Sequence, residues 1–237
     1  MVPIVERQLQ LPGSGILYDA SRLRKPAPEV FTHEFWVSRG SHAEVAGGRA
    51  SVSFIRAEDA SWVLRHYRRG GLVAKLLDDQ YLWLGASRTR CFAEWRLLAE
   101  LRKRELPVPA PVAARYVRSG LAYRADLITE ELPPSQTLAN ALSALDAQAW
   151  QEIGKTLARF HAQGVHHADL NAHNILLGRS GAVYVLDFDR GRIRARGAWE
   201  EGVLARLQRS LRKIARQRAD AKFGDREWGW LMTGYAG

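Results

Sequence analysis

The stretch GVHHADLNAHNILL, residues 164–177, sets Asp169 among histidines and reaches Asn174 just before an apolar run. A second acid, Asp187, closes another apolar run in VLDFDRGR. Each of the three stands at the edge of a segment that reads as a short strand, where packing can hold a backbone still and a side chain can be aimed. Phosphoryl transfer with magnesium asks for hard oxygen ligands, a carboxylate near the accepting hydroxyl, and a cation on the nucleotide phosphates. Asp169, Asn174 and Asp187 answer the first two demands. Taken singly, each is equally well a turn or helix cap, because Asp and Asn side chains bond nearby backbone. Their order along the chain, with Glu94 upstream, is what points to chemistry.

Other candidate sites are weaker. His161, His166, His167 and His173 suggest a metal cluster, but Gly164 breaks the segment and no cysteine assists, so structural hydrogen bonding is the expectation. Gly154-Lys155-Thr156 imitates the end of a phosphate-binding loop, yet Ala149 stands where its first glycine belongs and the segment reads as helix. Gly13-Ser14-Gly15 lacks the third glycine of a dinucleotide fingerprint and reads as a loop. Gly47-Gly48 is either an ordinary turn or a flexible cover over nucleotide phosphates, whose backbone amides could approach for want of a side chain.

The elements that must carry these residues follow from periodicity. After a Gly/Pro-punctuated opening, residues 29–40 predict a short helix ended by glycine. Residues 50–57 and 61–67 are rich in strand formers and predict a hairpin through residues 58–60. Residues 89–105 place Phe92, Trp95, Leu98 and Leu101 on one helical stripe, and the following LPVPAP stops the helix. Residues 111–118 and 121–132 predict two more strands, joined at Ser119-Gly120, with a boundary between lobes near residues 132–135. Residues 146–162 predict a helix capped by Asp146, with Trp150, Ile153, Leu157 and Phe160 on one side. Short strands over NILL and AVYVLDF flank the turn GRSG. A last helix from Trp199 sets Leu204, Leu207, Leu211 and Ile214 on one face and Arg206, Arg209, Arg212, Lys213 and Arg216 on the other.

Composition bounds the rest. A chain of 237 residues can bury a sizeable core as one large domain or two small lobes. The formal net charge of +10, with a pI near 10.2, favours polyanionic partners: nucleic acid, anionic lipid or phosphorylated substrates. Cys91 is the only cysteine, which excludes an intrachain disulfide and a cysteine metal cage and fits a reducing compartment. Cys91 itself reads as a packed small side chain. Glu6 and Arg7 interrupt the opening before a signal peptide could form, and no apolar run reaches membrane-spanning length, so the expected location is cytoplasmic. The basic helix face is either solvated or drawn to anionic lipid, and Arg65, His66, Arg68 and Arg69 could add to that attraction. Tryptophans are expected in the core, with Trp228 and Trp230 able to sit at a lipid interface.

An Asp, four residues, an Asn, then a strand pair ending in another Asp is the pattern of kinase-like catalytic loops. His167-Ala168-Asp169 with Asn174 resembles the HRD…N loop, and Asp187-Phe188-Asp189 resembles a DFG motif whose glycine has become aspartate. WVLRHYRRGGL, FAEWRLLAELRKRELPVPAPVAARYVR, YRADLITEEL, ARFHAQGVHHADLNAHNILL and VLDFDRGR together are similar to the 3-deoxy-D-manno-octulosonic acid (Kdo) kinase family of Gram-negative lipopolysaccharide assembly.

That resemblance implies an α+β, two-lobed protein-kinase-like fold. Residues 1–132 would form an antiparallel-sheet N-lobe carrying the Glu94 helix, and residues 133–237 a compact, mainly helical catalytic lobe. It implies transfer of the γ-phosphate of ATP to the 4-hydroxyl of a Kdo residue on a lipid A precursor, at the cytoplasmic face of the inner membrane. Asp169 would orient the sugar hydroxyl and accept its proton, while Asn174 and Asp187 would hold magnesium. Glu94 would steady the phosphate-binding cation, for which Arg65 matches the usual lysine position and Lys75 is the fallback. Arginine keeps its charge and can grip phosphate oxygens in a bidentate way. Asn171 replaces the lysine of serine-directed protein kinases, no APE motif follows Asp187, and the chain left after it is short, so a carbohydrate or small-molecule acceptor fits better than a peptide. The rivals are a kinase for another acceptor, such as a core heptose, an antibiotic or a protein, and a catalytically inactive basic binding protein. Specific nucleic-acid recognition is not expected, because no aromatic-rich basic motif is present.

Overall fold

A computed structural model of the protein describes residues 3–39, 42–46, 52–57, 60–68 and 79–237. Gly47, Gly48, Arg69 and Lys75 lie outside the described residues. The chain divides into two compact units, Met1–Glu100 with Pro109–Glu131, and Leu101–Val108 with Leu132–Gly237.

The first unit is built on an antiparallel sheet. Its strands are β1 (Glu6–Leu11), β2 (Ser14–Asp19), β3 (His42–Ala46), β4 (Val52–Ala57), β5 (Ala60–His66), β6 (Tyr81–Leu82), β7 (Pro111–Ser119) and β8 (Ala122–Glu130). They run in the order β1-β2-β7-β8-β5-β4-β3, with β6 on β8. The expected hairpin is present as the β4–β5 ladder, which closes at Ala57 opposite Ala60. The opening residues differ from the loop reading: Ser14 and Gly15 belong to β2, which pairs with β1 along its whole length. ERQLQL lies at the sheet edge with mostly exposed side chains, and only Leu9 and Leu11, alternating with glutamines, pack against the core, a pattern of two residues just ahead of Pro12 and Gly13. The helix expected over residues 29–40 is split into a 3₁₀ turn, Pro28–Phe31, and a short α1 (His33–Val37), interrupted by Thr32 in an extended conformation.

Alternation along β5 sends its side chains to two different environments. Trp62 and Leu64 join a core with Ile16, Val30, Phe31, Trp36, Val112 and Ile128. His66 shares their parity, and its Nδ1 lies 2.7 Å from Asp126 Oδ1, whose other oxygen is 2.7 Å from Arg115 Nη2. Arg65 and Tyr67 point the opposite way, toward helix α2 (Arg90–Lys103). On that side Phe92 meets Tyr116 edge-on at 5.3 Å, and the Cys91 thiol donates to the Arg115 carbonyl at 3.3 Å. Burial pushes that thiol up to about 12, so Cys91 is a packed neutral group. A one-residue slip of β5 would exchange the two sets, so the apolar core fixes where Arg65 points.

The second unit is mainly helical. It holds β9 (Ser135–Thr137), α3 (Leu138–Ala141), α4 (Ala147–Ala162), β10 (Val165–His166), β11 (Ile175–Gly178), β12 (Val183–Val185), β13 (Arg192–Ile193), α5 (Trp199–Gln217) and α6 (Asp225–Ala236). Asp146 caps α4 as expected, accepting from the Ala149 N–H at 2.8 Å. The stripe Trp150, Ile153, Leu157 and Phe160 is buried, and so is the α5 stripe Leu204, Leu207, Leu211 and Ile214. Helix α6 has no counterpart in the sequence reading, because Gly229 and Gly234 lower its intrinsic propensity. Packing supplies what propensity does not. Gly154 of α4 and Gly234 of α6 let the two backbones touch: a Cβ at Gly154 would stand 2.0 Å from the Leu231 carbonyl oxygen, and one at Gly234 would stand 2.0 Å from that of Gln151. Gly154 therefore serves a helix crossing and binds no phosphate. Among the described residues no helix is long and apolar enough to cross a membrane.

This crossing gives a clear expectation. Gly154→Ala forces the helices apart at an overpacking cost of about 1–3 kcal/mol, whereas Gly229→Ala, with nothing within 4 Å of the added carbon, is neutral or slightly stabilising. Thermal melting of the two variants checks this, and equal melting temperatures would contradict the close-contact account.

Candidate active site

The Asp169 loop is positioned by hydrogen bonds between two segments of the second unit. Leu186 N–H donates to the Asn174 carbonyl at 2.8 Å, which ties the residue before Asp187 to the end of the Asp169 loop. His167 makes the second tie. Its Nδ1 accepts from the Asp169 N–H at 3.2 Å, so Nδ1 is unprotonated and Nε2 carries the hydrogen donated to the Leu186 carbonyl at 2.8 Å. One neutral tautomer satisfies both bonds. Burial, the largest influence, pushes the imidazole below its ordinary range and keeps it in that form. Phe188 closes over the ring at 4.9 Å and stacks on Phe160 at 5.8 Å.

Within the loop the amides are spoken for. Asn174 Nδ2 and Asn171 Nδ2 each donate to the Asp169 carbonyl at 3.0 Å, and Asn171 Oδ1 accepts from the His173 N–H at 2.9 Å. Asn171 is thus a loop brace, using both ends of its amide. In Asn174 the nitrogen must face the carbonyl, which directs Oδ1 away from it, and an amide oxygen is a ligand a hard cation accepts. Asp169 itself projects its carboxylate outward, with the side chain 66% exposed, and Arg206 Nη1 of α5 lies 3.1 Å from its Oδ1. Ser210, one turn further along α5, accepts from the Ala172 N–H at 3.2 Å and fixes the helix against the loop.

Asp187 holds φ 60°, a left-handed conformation that costs a non-glycine residue on the order of 1–2 kcal/mol. The ties at Leu186 hold it there, and an aspartate in this strained geometry is aimed by its backbone. Arg190 is the other left-handed residue of the segment, and Asp189 is not one, so an aspartate is accommodated where the kinase motif carries glycine. Asp187 and Asn174 carry oxygens of the kind that a magnesium site with one or two protein ligands would take, its shell completed by water and phosphate. A self-sufficient cage is a different matter: among the described residues no three His, Cys, Asp or Glu side chains gather as one.

In the first unit, Arg65 and Glu94 meet. Arg65 Nη2 lies 2.5 Å from Glu94 Oε2, whose side chain is only 2% exposed, and the Tyr67 hydroxyl donates to the same oxygen at 2.5 Å. Burial, reinforced by the Glu94 charge, pushes the Tyr67 hydroxyl well above its ordinary range, so it remains a donor. The Arg65 guanidinium also rests 4.6 Å over the Tyr67 ring. The sequence reading did not single out Tyr67, although its place two residues after Arg65 on one strand face was the available signal. It also counted Arg206 only among the basic residues of a helix face, where nothing in the spacing marks it.

Of the other histidines in residues 161–173, His161 makes a structural hydrogen bond. His161 Nδ1 lies 2.7 Å from the Tyr235 hydroxyl, and burial first of all pushes this imidazole down to about 4, so it is neutral at physiological pH. His166 packs edge-on against Trp199 at 5.3 Å. Trp228 and Trp230 are partly buried, the first near Phe223 and the second under the Arg226 guanidinium.

With this geometry in place, comparison with known proteins decides the family. The description "Lipopolysaccharide kinase (Kdo/WaaP) family" fits residues 33–235. The chain belongs to that family. Among its relatives, the 3-deoxy-D-manno-octulosonic acid kinase of Stenotrophomonas maltophilia (strain R551-3) is 49% identical over 86% of this chain and 83% of its own. The enzyme of the same name from Xylella fastidiosa (strain 9a5c) is 46% identical over 90% and 86%. That of Xanthomonas campestris pv. campestris (strain B100) is 48% identical over 84% and 81%. The Cydia pomonella granulovirus kinase PK-1 aligns with a TM-score of 0.43 and 16% identity, over 71% of this chain and 58% of that one. As a member of this family the protein is a kinase, which implies the use of ATP.

The buried pair in the first unit makes a measurable claim. The double variant Arg65→Ala with Glu94→Ala should destabilise less than the sum of the two single variants, with a coupling of about 0.5–3 kcal/mol. Thermal melts of the cycle read this directly, and additive effects would show the contact to be energetically idle.

Proposed function

We propose that the protein transfers the γ-phosphate of ATP to the 4-hydroxyl of a Kdo residue carried by a lipid A precursor, in assembly of the lipopolysaccharide core. The observation that carries this reading is the double tie of the Asp169 loop to the Asp187 segment through His167 and Leu186, set in a chain whose relatives are named Kdo kinases. In this reading the Asp169 carboxylate orients the sugar hydroxyl and takes its proton as the oxygen bonds to phosphorus and the bond to ADP breaks. Asn174 Oδ1 and Asp187 would hold magnesium, which would supply charge neutralisation on the phosphates. Arg65, steadied by Glu94 and Tyr67, is the cation for the nucleotide phosphates. It is preorganised by the buried carboxylate, so little side-chain entropy is left to lose on binding.

We also propose that the kinase works at the cytoplasmic face of the inner membrane as a peripheral protein. Arg209, Arg212, Lys213 and Arg216 are exposed on α5, opposite its buried leucines. Each such residue near an anionic surface contributes about 1 kcal/mol. Binding to vesicles containing anionic lipid should therefore weaken steeply with added salt, and Arg209→Glu with Lys213→Glu should abolish flotation with them. Salt-insensitive binding would contradict an electrostatic anchor.

The acceptor claim is checked with labelled ATP and a panel of acceptors. Label should enter the Kdo-bearing precursor, require magnesium, and fall about 10²–10⁴-fold in kcat for Asp169→Asn. Turnover of a core heptose or a peptide, with the Kdo acceptor unlabelled, would overturn the reading, and a near-normal Asp169→Asn would remove the base from it.

A further inference from the structure

One end of the first unit's sheet leaves apolar side chains in solvent. Seven large apolar side chains are exposed among the described residues, and the three most exposed, Leu121 at 79%, Leu82 at 63% and Leu84 at 61%, come from one corner. Single exposed leucines are ordinary on a protein surface, whereas several on one projection mark an interaction site. Backbone pairing puts these three together. Leu82 stands opposite Ala122 in the β6–β8 ladder, and the Trp83 N–H donates to the Leu121 carbonyl at 2.9 Å. The β7–β8 turn holds Gly120 at φ 60°, and Gly85, just after Leu84, holds φ 103°. Beyond its chain neighbours, a Cβ at either glycine would meet no atom of the described residues within 4 Å, so both turns project into open space.

Behind the leucines stands an aromatic layer. Trp83, between Leu82 and Leu84, is partly buried, with its ring 4.8 Å from Tyr116 and 6.0 Å from Tyr123. The Arg118 guanidinium rests 5.2 Å over that ring while its Nε donates to the Gly120 carbonyl at 2.9 Å. An indole packed on one side and flanked by a cation suits the boundary between water and acyl chains. The surroundings are basic. Residues 80–93 and 111–125 include Arg88, Arg90, Arg115, Arg118 and Arg124 and no aspartate or glutamate. Arg115 and Arg124 pair with Asp126 and Asp79, each at 2.7 Å. Arg88, at the end of the 3₁₀ turn that follows Leu84, and Arg118, just ahead of Leu121, are exposed. The corner thus presents apolar tips with positive charge beside them.

We infer that the corner formed by Leu82, Leu84 and Leu121 docks on an anionic lipid bilayer, with the leucines entering the acyl boundary and Trp83 and Arg118 at headgroup level. The inference rests on the proposed peripheral location and adds to the charged face of α5 a contact of a different kind. Attraction between basic residues and an anionic surface is long-ranged and screened by salt. Apolar area buried in the bilayer adds a short-ranged term that does not depend on charge, and stable attachment by weak elements takes two such signals. A second copy of the chain is the other occupant open to an apolar corner. That contact would bring two arginine-bearing corners face to face, and like charges oppose it. An anionic surface gains from the same charges.

The experiment places a probe on the tip of the full-length protein. Cys91 is fully buried, so Leu121→Cys can be labelled selectively with a nitrobenzoxadiazole fluorophore. On vesicles of phosphatidylethanolamine and phosphatidylglycerol its emission should shift to the blue and be quenched by lipids spin-labelled in the acyl chain. The same probe at Ser180→Cys, in an exposed turn, should show neither effect. Leu82→Ser with Leu84→Ser and Leu121→Ser should lower partition into these vesicles about 10- to 100-fold through lost apolar burial. The melting temperature of that variant should match wild type, because the replaced side chains are exposed, and its remaining binding should keep the wild-type dependence on salt. Unaltered partition of the triple variant, or equal quenching at the two probe positions, would overturn the inference and leave the peripheral reading standing. Dimerisation of wild type without lipid, abolished in the triple variant, would overturn it in favour of a second copy. If wild type binds no vesicles at all, the peripheral reading falls and takes this inference with it.

Discussion

The site depends on one neutral imidazole. His167 reads as an acceptor on one side and a donor on the other, and only the Nε2-protonated tautomer can serve the Asp169 N–H and the Leu186 carbonyl together. A charged ring could not accept from Asp169, and the other tautomer could do neither. Burial removes the charged form, and packing against Phe188 and Phe160 fixes the ring plane. Two chain segments that carry Asp169 and Asp187 are thus locked to each other through a side chain that has no need to touch a substrate. With the Leu186–Asn174 backbone bond added, the left-handed aspartate at position 187 becomes over-determined, which is the condition under which such a conformation persists.

In the first unit the comparable constraint is the parity of a strand. Trp62 and Leu64 have no choice of face, since each is buried in an apolar core that includes Ile16, Ile55 and Ile128. Arg65 is therefore delivered to the opposite face, where Glu94 waits almost without solvent. A carboxylate so buried is costly unless it is paired and hydrogen-bonded, and it has both a guanidinium and a phenol on one oxygen. Arginine suits this arrangement, since its planar guanidinium can give Glu94 a charge-assisted hydrogen bond while resting over the Tyr67 ring.

Much of this was legible in the sequence, for identifiable reasons. Helices α2, α4 and α5 bury the stripes their spacing announces, because a helix with one apolar face has one stable way to pack. Asp146 was readable as a cap, and the meeting of Arg65 with Glu94 followed from motif order. The edge hairpin β1–β2 was hidden behind Pro12, Gly13 and Gly15, which read as loop although Leu9 and Leu11 alternate with glutamines and pack on the core. Helix α6 was hidden behind two glycines, of which Gly234 serves the contact with α4 and leaves no local signature. Arg206 was hidden differently. Its distinction lies in the loop that α5 packs against, and residues 37 positions apart share no local pattern that could reveal it.

The charge of the chain then divides by use. Arg206 and Ser210 of α5 turn to the Asp169 loop, Val203, Leu207 and Leu211 turn to the core, Arg212 pairs with Asp225, and Arg209, Lys213 and Arg216 turn to solvent. A net charge of +10 cannot separate these roles, because it is a sum over residues with different neighbours. Contacts can. A cation facing solvent attracts any polyanion through a screened field, whereas Arg206 is directed at one carboxylate, that of Asp169, at 3.1 Å, by the packing of α5 against the loop.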